Sequence, residues 1–172
     1  MTLFTTEEFN SLNDLFLNQL QDLYDAEERI TQALPKMIDA ARSPQLKQAF
    51  QSHLQETQQH ISRLEQVFSS LGADKKRETC LAMKGIIDEG EKIVKAKGDP
   101  DVKDAALIAA AQRVEHYEMA GYGTARTFAL RLGNQRAATL LEQTLEEEKA
   151  ADRKLTQIAE ATVNTQAATS AR

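Results

Sequence analysis

The sequence predicts an all-α protein, a four-helix bundle made of two antiparallel helical hairpins that a long crossover joins. Apolar residues recur at steps of three and four along four long stretches, and no stretch alternates as a strand does. Good helix formers dominate the chain, whereas only 7 of the 172 residues are Gly and 3 are Pro. Long helices with few turns are therefore expected, and the chain is long enough for one domain with a substantial core.

The first long helix is predicted to begin at Thr6, an N-cap candidate followed by Glu7 and Glu8, and to continue to about Ala41. Pro35 lies inside this stretch and is expected to bend the helix rather than end it. The residues that share its apolar face are Phe16, Leu20, Leu23, Glu27, Ile30, Leu34 and Met37.

Turn signals divide the rest of the chain. Ser43 and Pro44 open a second helix that Gly72 ends, and Lys97-Gly98-Asp99-Pro100 precedes a third long helix. The two predicted hairpins span residues 7–70 and 101–163, and a short helix over 79–96 lies in the segment that joins them. One long crossover between two hairpins is the connectivity of ferritin-like bundles. The bundle is assigned to residues 1–163 and a flexible tail to 164–172.

Charge, hydropathy and cysteine content exclude several classes. The net charge of −5 gives no indication of nucleic-acid binding. No apolar run approaches the roughly 20 residues that span a bilayer, so no membrane association is expected. The first twelve residues lack the pattern of a secretion signal, and Cys80 is the only cysteine, which is compatible with a reducing cytoplasm.

The two hairpins align without a gap at an offset of 91 residues, which indicates an internal duplication. Many apolar matches would arise by chance. The informative pairs are acidic, because Glu27 falls on Glu118 and Glu56 falls on Glu147. Acids therefore recur where core residues are expected.

Carboxylates on apolar helix faces indicate a metal site. A buried carboxylate costs several kcal/mol unless it is neutralised, paired or bound to a cation. Glu27 and Glu118 both lie on regular apolar stripes, and Glu115 adds a second acid one turn before Glu118. Glutamates from several helices of a bundle are the pattern of di-iron and di-manganese carboxylate proteins.

The acid contributed by the fourth long helix is ambiguous by one residue. The duplication favours Glu147, whereas the neighbouring leucines favour Glu148, and we choose Glu147 by a narrow margin. The run Glu146-Glu147-Glu148 is also compatible with a solvated face. Helix two offers Glu56, together with His53 and His60, which are either additional ligands or residues of a surface seam.

Several segments of the chain resemble the YciE/YciF family. The resemblance rests on Ala26-Glu27 and on residues 53–57 (HLQET), 105–111 (AALIAAA), 114–118 (VEHYE) and 145–149 (LEEEK), and extends over about residues 8–160. It implies a small cytoplasmic bacterial protein of the ferritin-like superfamily, linked to stress responses and dimeric. Members are described as ferroxidases.

The wider superfamily, rubrerythrin included, supplies a template for the ligands. By resemblance, the first-helix ligand is Glu27, the Glu-x-x-Glu pair is Glu115 and Glu118, and the bridging acids are Glu56 and either Glu147 or Glu148. The template places a histidine three residues after each bridging acid. Those positions are Gln59 and Ala150 here, so the chain departs from the pattern.

The leading functional hypothesis is therefore a stress-associated protein with two metal ions, iron or alternatively manganese, that reacts with O₂ or peroxide as a ferroxidase-type oxidoreductase. The alternative is a non-enzymatic homodimer in which the metal site is structural or vestigial. An iron-storage shell is a third option, which would form large oligomers.

Overall fold

A computed structural model describes residues 8–75 and 79–169. Helices make up nearly all of these residues, and no strand occurs within them. The helices are α1 (Leu12–Ala40), α2 (Pro44–Leu71), α3 (Leu81–Lys95), α4 (Pro100–Arg131), α5 (Gln135–Ile158) and α6 (Asn164–Thr169), with a π-helical turn at Ala159–Val163 between the last two.

The first helix begins later than the sequence predicted. Thr6 and Glu7 lie outside the described residues, and residues 8–10 are not helical, so a start at residue 6 or 7 is wrong. The cap is Ser11, whose side chain accepts a hydrogen bond from the N–H of Asp14, while Asp14 accepts one from the N–H of Asn10. This reciprocal arrangement satisfies two backbone donors and explains why the later cap prevails.

The helix continues through Pro35, as expected, and ends at Ala40. The next cap also agrees with the sequence, because Ser43 accepts a hydrogen bond from the N–H of Leu46 and Pro44 is the first residue of α2. Gly72 then ends α2 in the left-handed conformation, with φ of 62°.

The four long helices pack side by side, and each contacts two others along its length. α1 lies against α2 and α4, and α5 lies against the same two helices. Neighbours are antiparallel, as the contacts from Tyr24 to Glu65 and from Gln112 to Asp152 show for the two hairpins. Gly121 permits the close approach of α4 to α1, because a Cβ at this position would lie 2.7 Å from Cδ2 of Leu23.

The long connection between the hairpins contains α3, which packs on α1 and α4. Its start is fixed by Cys80, whose N–H donates to Asp25 Oδ2 at 2.8 Å. The Cys80 thiol is buried beside the Tyr117 hydroxyl, 3.1 Å away, and burial raises the pKa of the thiol to about 11. Asp25 is itself buried and pairs with Arg29 at 2.5 Å.

The helical path at the carboxyl end is longer than predicted. The sequence placed the end of the last helix at Val163, but the π-helical turn leads into α6, which reaches Thr169 and contacts α4. Val163 is buried and holds this turn against the core, whereas most side chains of α6 are exposed. Flexibility of the tail remains a prediction.

Two apolar clusters form the core, one toward each end of the long helices. One includes Ile30, Phe50 and Leu107, and the other includes Phe16, Leu64 and Leu141. Between them lies a layer of buried acids and histidines. Among the described residues, no helix is long and apolar enough to cross a membrane.

Asp104 secures the turn between α1 and α2, and its removal should be costly. The buried carboxylate accepts hydrogen bonds from the N–H groups of Arg42 at 2.8 Å and Ser43 at 2.6 Å. Because two backbone N–H groups at the turn would lose their carboxylate partner, Asp104→Ala should lower the free energy of unfolding by about 3 kcal/mol in urea denaturation. The exposed Asp88→Ala, which breaks only a pair with Lys84, should cost less than about 0.5 kcal/mol. Equal costs would contradict this role.

Candidate metal centre

Six buried side chains converge between the two apolar clusters. Their candidate ligand atoms form two groups, and within each group all the atoms lie within 4.8 Å of one another. Glu148 belongs to both groups and therefore lies at the centre of the cluster. The first group is His53, Glu115, Glu118 and Glu148, and the second is Glu27, His60 and Glu148.

All four long helices contribute to this cluster. α1 supplies Glu27, α2 supplies both histidines, α4 supplies Glu115 and Glu118, and α5 supplies Glu148. The histidines are seven residues apart and the two α4 acids are three apart, so each pair lies on one face of its helix. The apolar residues on the same faces then carry these polar groups into the interior.

The cluster is short of hydrogen bonds. Both carboxylate oxygens of Glu118 and of Glu148 lack a hydrogen-bond partner, as does one oxygen each of Glu27 and Glu115. Buried polar groups without partners are rare in native proteins and call for an explanation. A bound cation would supply one, since it would coordinate these oxygens directly.

Burial and like charges raise the pKa of two of these acids. Desolvation is the largest cause for Glu115 and for Glu118, and the neighbouring Glu148 carboxylate adds to the shift of both. For Glu148 itself, burial opposes ionisation, but the nearby His60 ring and the charge of His53 lower its pKa. One carboxylate is thus kept ionised beside two that favour the protonated form.

His60 lies between inner and outer carboxylates. Its Nδ1 is 3.3 Å from Glu27 Oε1 and 2.9 Å from Glu148 Oε1, while its Nε2 is 2.9 Å from Glu147 Oε2. Burial lowers its pKa, but the charges of Glu27 and Glu148 outweigh burial and raise it to about 10. When Nε2–H is donated to Glu147, Nδ1 remains directed toward the cluster, which is how second-shell carboxylates orient ligand imidazoles.

His53 lies two helical turns before His60 on α2 and has similar surroundings. Its Nε2 is 3.4 Å from Glu115 Oε1 and 4.0 Å from Glu148 Oε2, whereas Nδ1 is 3.7 Å from Glu56 Oε2. Burial would lower its pKa, but Glu56 and the charge of Glu148 raise it. Each histidine therefore has an inner side facing the cluster and an outer side facing an acid.

Glu56 and Glu147 lie outside the two groups. The Glu147 side chain is 33% exposed and binds Arg63 through both oxygens, at 2.5 Å and 2.8 Å. The Glu56 side chain is 40% exposed. The sequence narrowly favoured Glu147 over Glu148 as the α5 ligand, but Glu148 is the buried one of the two, on the stripe of Leu141, Leu145 and Leu155.

Sequence reasoning missed Arg63, which holds Glu147 on the outside of the cluster and donates to Thr144 at 3.2 Å. Its position three residues after His60 was the available signal, because that spacing puts both side chains on one face of α2. Tyr122 is fully buried and donates its hydroxyl to Glu27 Oε1 at 2.5 Å. His116 points away, with its side chain 66% exposed, and pairs with Asp152.

The donor set is of the kind that binds divalent cations. Four carboxylates and two imidazoles are ligands that iron, manganese and zinc accept. The buried histidines and glutamates can therefore hold a metal ion.

Comparison with known proteins shows the family of the chain. Residues 11–168 match the family described as a domain of unknown function, DUF892, and the chain belongs to this family. It is similar to Protein YciF of Escherichia coli strain K12, with 48% identity over 158 residues, which cover 91% of this chain and 95% of the relative. The expected relationship to YciE/YciF proteins is thus confirmed.

Solved structures of relatives agree with the all-helical architecture. The crystal structure of the E. coli stress protein YciF has a TM-score of 0.88 and 47% identity, covering 91% of this chain and 99% of that one. A protein from Rhodopseudomonas palustris named YcfI has a TM-score of 0.86 and 44% identity, with the same coverage. A Xanthomonas campestris protein at 22% identity and a TM-score of 0.70, covering 90% and 94% of the two chains, shares the fold.

Proposed function

We propose that this chain is a stress-associated protein of ferritin-like architecture that binds two divalent metal ions, iron or manganese, between its four long helices. We further propose a ferroxidase-type activity, in which Fe(II) is oxidised and O₂ or peroxide is reduced. The observation that carries the proposal is the pair of buried ligand groups sharing Glu148, whose oxygens have no hydrogen-bond partner.

The chain's own residues would have distinct roles at this centre. Glu27, Glu115, Glu118 and Glu148 supply oxygen ligands, and His53 and His60 supply nitrogen. Two bound iron ions would supply two electrons, enough to reduce O₂ to the level of peroxide. Tyr122 fixes one oxygen of Glu27, while Arg63 and Glu147 hold His60. The apolar clusters on either side exclude bulk water.

Proton release accompanies binding at such a site. Metal ligands must be deprotonated, and both the raised pKa values of Glu115 and Glu118 and the pKa of about 10 for His60 mean that cations compete with protons. Metal affinity should therefore increase with pH. This competition distinguishes the buried cluster from exposed surface acids.

The proposed activity can be tested with Glu118→Gln, which removes a ligand charge at constant size. The wild-type protein should bind two equivalents of Fe(II) anaerobically and oxidise them in air faster than buffer does. The variant should lose at least about tenfold in affinity and rate, because an outer-shell change alone costs that much. Glu89→Gln, at an exposed position of α3, serves as the control. If the wild-type protein oxidises Fe(II) no faster than buffer does, the proposed activity is wrong.

A structural role is the second candidate, favoured by the position of the cluster between the two halves of the core. Here metal would raise the melting temperature through linkage, without any turnover. Binding of two ions with no Fe(II) oxidation would favour this role. We also propose a cytoplasmic homodimer, which a sizing column would distinguish from a storage shell.

A further inference from the structure

A small cavity of about 40 Å³ lies between α1, α3 and α4, beside the metal-ligating cluster. Its walls are almost entirely aliphatic. At its outer end, Lys36 Nζ and Glu91 Oε1 form an ion pair 2.6 Å long whose side chains are partly exposed. The apolar residues that line it include Ile30, Leu34, Ile87, Val94, Ala111 and Val114.

The inner end of this apolar cavity is formed by His53 and Glu115. Both are members of the ligand group that includes Glu118 and Glu148. Neither ring nitrogen of His53 has a hydrogen-bond partner, and the same holds for Glu115 Oε2. The cavity thus leads from the surface pair at Lys36 to the polar cluster.

A second, larger cavity of about 270 Å³ also ends on His53 and Glu115, but it lies between α2 and α5. Its lining is different, because it includes Gln45, Gln48 and Lys154. These side chains can hydrogen-bond to water and to charged solutes. This polar cavity is therefore suited to the entry of hydrated cations and of peroxide.

We propose that the apolar cavity is a binding site for dioxygen that delivers it to the cluster; the delivery role rests on the proposed function. A cavity of about 40 Å³ can hold a small molecule, since one water needs roughly 10–15 Å³ on this measure. Aliphatic walls offer water no hydrogen bonds, and apolar cavities stay dry and take up apolar guests such as xenon. An uncharged diatomic gas fits both the volume and the walls.

Binding of O₂ in the apolar cavity can be measured without any oxidation of Fe(II). The full chain, kept free of paramagnetic metal, is placed under O₂ pressure, and the relaxation of its methyl groups is recorded by NMR. Paramagnetic O₂ should enhance the relaxation of Ile30, Ile87 and Ala111 selectively, compared with Leu20 and Leu64 in the other core cluster. Xenon pressurisation of crystals should place xenon among the same residues. A uniform O₂ effect, or no xenon there, overturns the binding site.

The delivery role is tested by filling the cavity. Ala111→Leu occupies it from α4, and Gly90→Val fills it from α3, where a Cβ would approach nothing closer than Ala110 Cβ at 4.0 Å. Ala151→Leu fills the polar cavity instead and is the matched control, with every variant loaded with Fe(II) anaerobically before O₂ is added. The filled variants should need about fivefold more O₂ for half-maximal Fe(II) oxidation at unchanged metal stoichiometry, and the control less than about twofold.

The outcomes separate the two proposals. If wild-type protein does not oxidise Fe(II), the proposed ferroxidase activity and the delivery role both fail, and the relaxation data alone decide whether O₂ binds. If oxidation occurs but all three variants share the wild-type O₂ dependence, delivery through the apolar cavity is wrong while the activity stands. Should Ala111→Leu not fold, Gly90→Val carries the same comparison.

Discussion

Replacing Glu148 with alanine is expected to abolish the binding of two metal ions, whereas Glu147→Ala should weaken binding by only about 10–100-fold. The reason is position. Glu148 is fully buried and belongs to both ligand groups, while Glu147 is partly exposed and contacts His60 and Arg63 on the outer side. Titration with Mn(II) under calorimetry, which requires no oxidation, measures both affinity and stoichiometry.

Adjacent glutamates make this a matched comparison, because the two variants remove the same side chain from the same turn of α5. Glu146→Ala, which loses only an exposed pair with Lys149, should bind metal as the wild type does. Circular dichroism checks that each variant remains helical. If Glu147→Ala loses stoichiometry and Glu148→Ala keeps it, the duplication argument was the better guide and Glu147 is the ligand.

The one-residue ambiguity on α5 shows where sequence reasoning reaches its limit. The offset of 91 residues pairs Glu56 with Glu147, and the structure places both at the outer edge, each beside a histidine of α2. The same offset pairs Glu148 with Thr57, which is buried but is not an acid. The duplication thus persists at the outer pair Glu56 and Glu147 and at the inner pair Glu27 and Glu118, but it has diverged at Thr57 and Glu148. An alignment of acids alone cannot reveal that divergence.

Helix periodicity predicted much more of the fold than of the cluster. The caps at Ser43 and Gly72 and the continuation through Pro35 follow from local chemistry that the sequence displays. The start at Ser11 was missed, because Thr6 with its following acids carries the same local cap signal. The approach of His53 and His60 to acids from three other helices depends on how those helices are rotated, which no single stripe determines.

The metal-free protein should be stabilised by Glu118→Met, even though this change removes a proposed ligand. Glu118 is fully buried, and neither of its oxygens has a hydrogen-bond partner. Replacing buried ion pairs with well-packed apolar residues of similar volume is often neutral or stabilising by about 1–4 kcal/mol, and an acid without hydrogen-bond partners should lie at the stabilising end. For a chain of this size, a gain of about 2 kcal/mol raises the melting temperature by roughly 4–8 °C.

The pH dependence gives this prediction a definite sign. The folded-state pKa of Glu118 is raised, so the native state holds a proton that the unfolded state releases. Metal-free wild-type protein should therefore lose stability as the pH rises above the ordinary carboxyl range. His60 acts in the same direction, since its contribution is present below pH 6.5 and is lost as the pH approaches its folded pKa of about 10.

Thermal melts of chelator-treated protein between pH 5 and pH 9 measure both effects. The stabilisation by Glu118→Met should grow with pH, because the charged carboxylate is the costly form, and Glu89→Gln should follow the wild type throughout. Added Mn(II) should reverse the order, raising the melting temperature of the wild type but not of the variant. A destabilised variant without metal would mean that Glu118 stabilises the fold by itself, and the unpartnered oxygens would then no longer indicate a cation site.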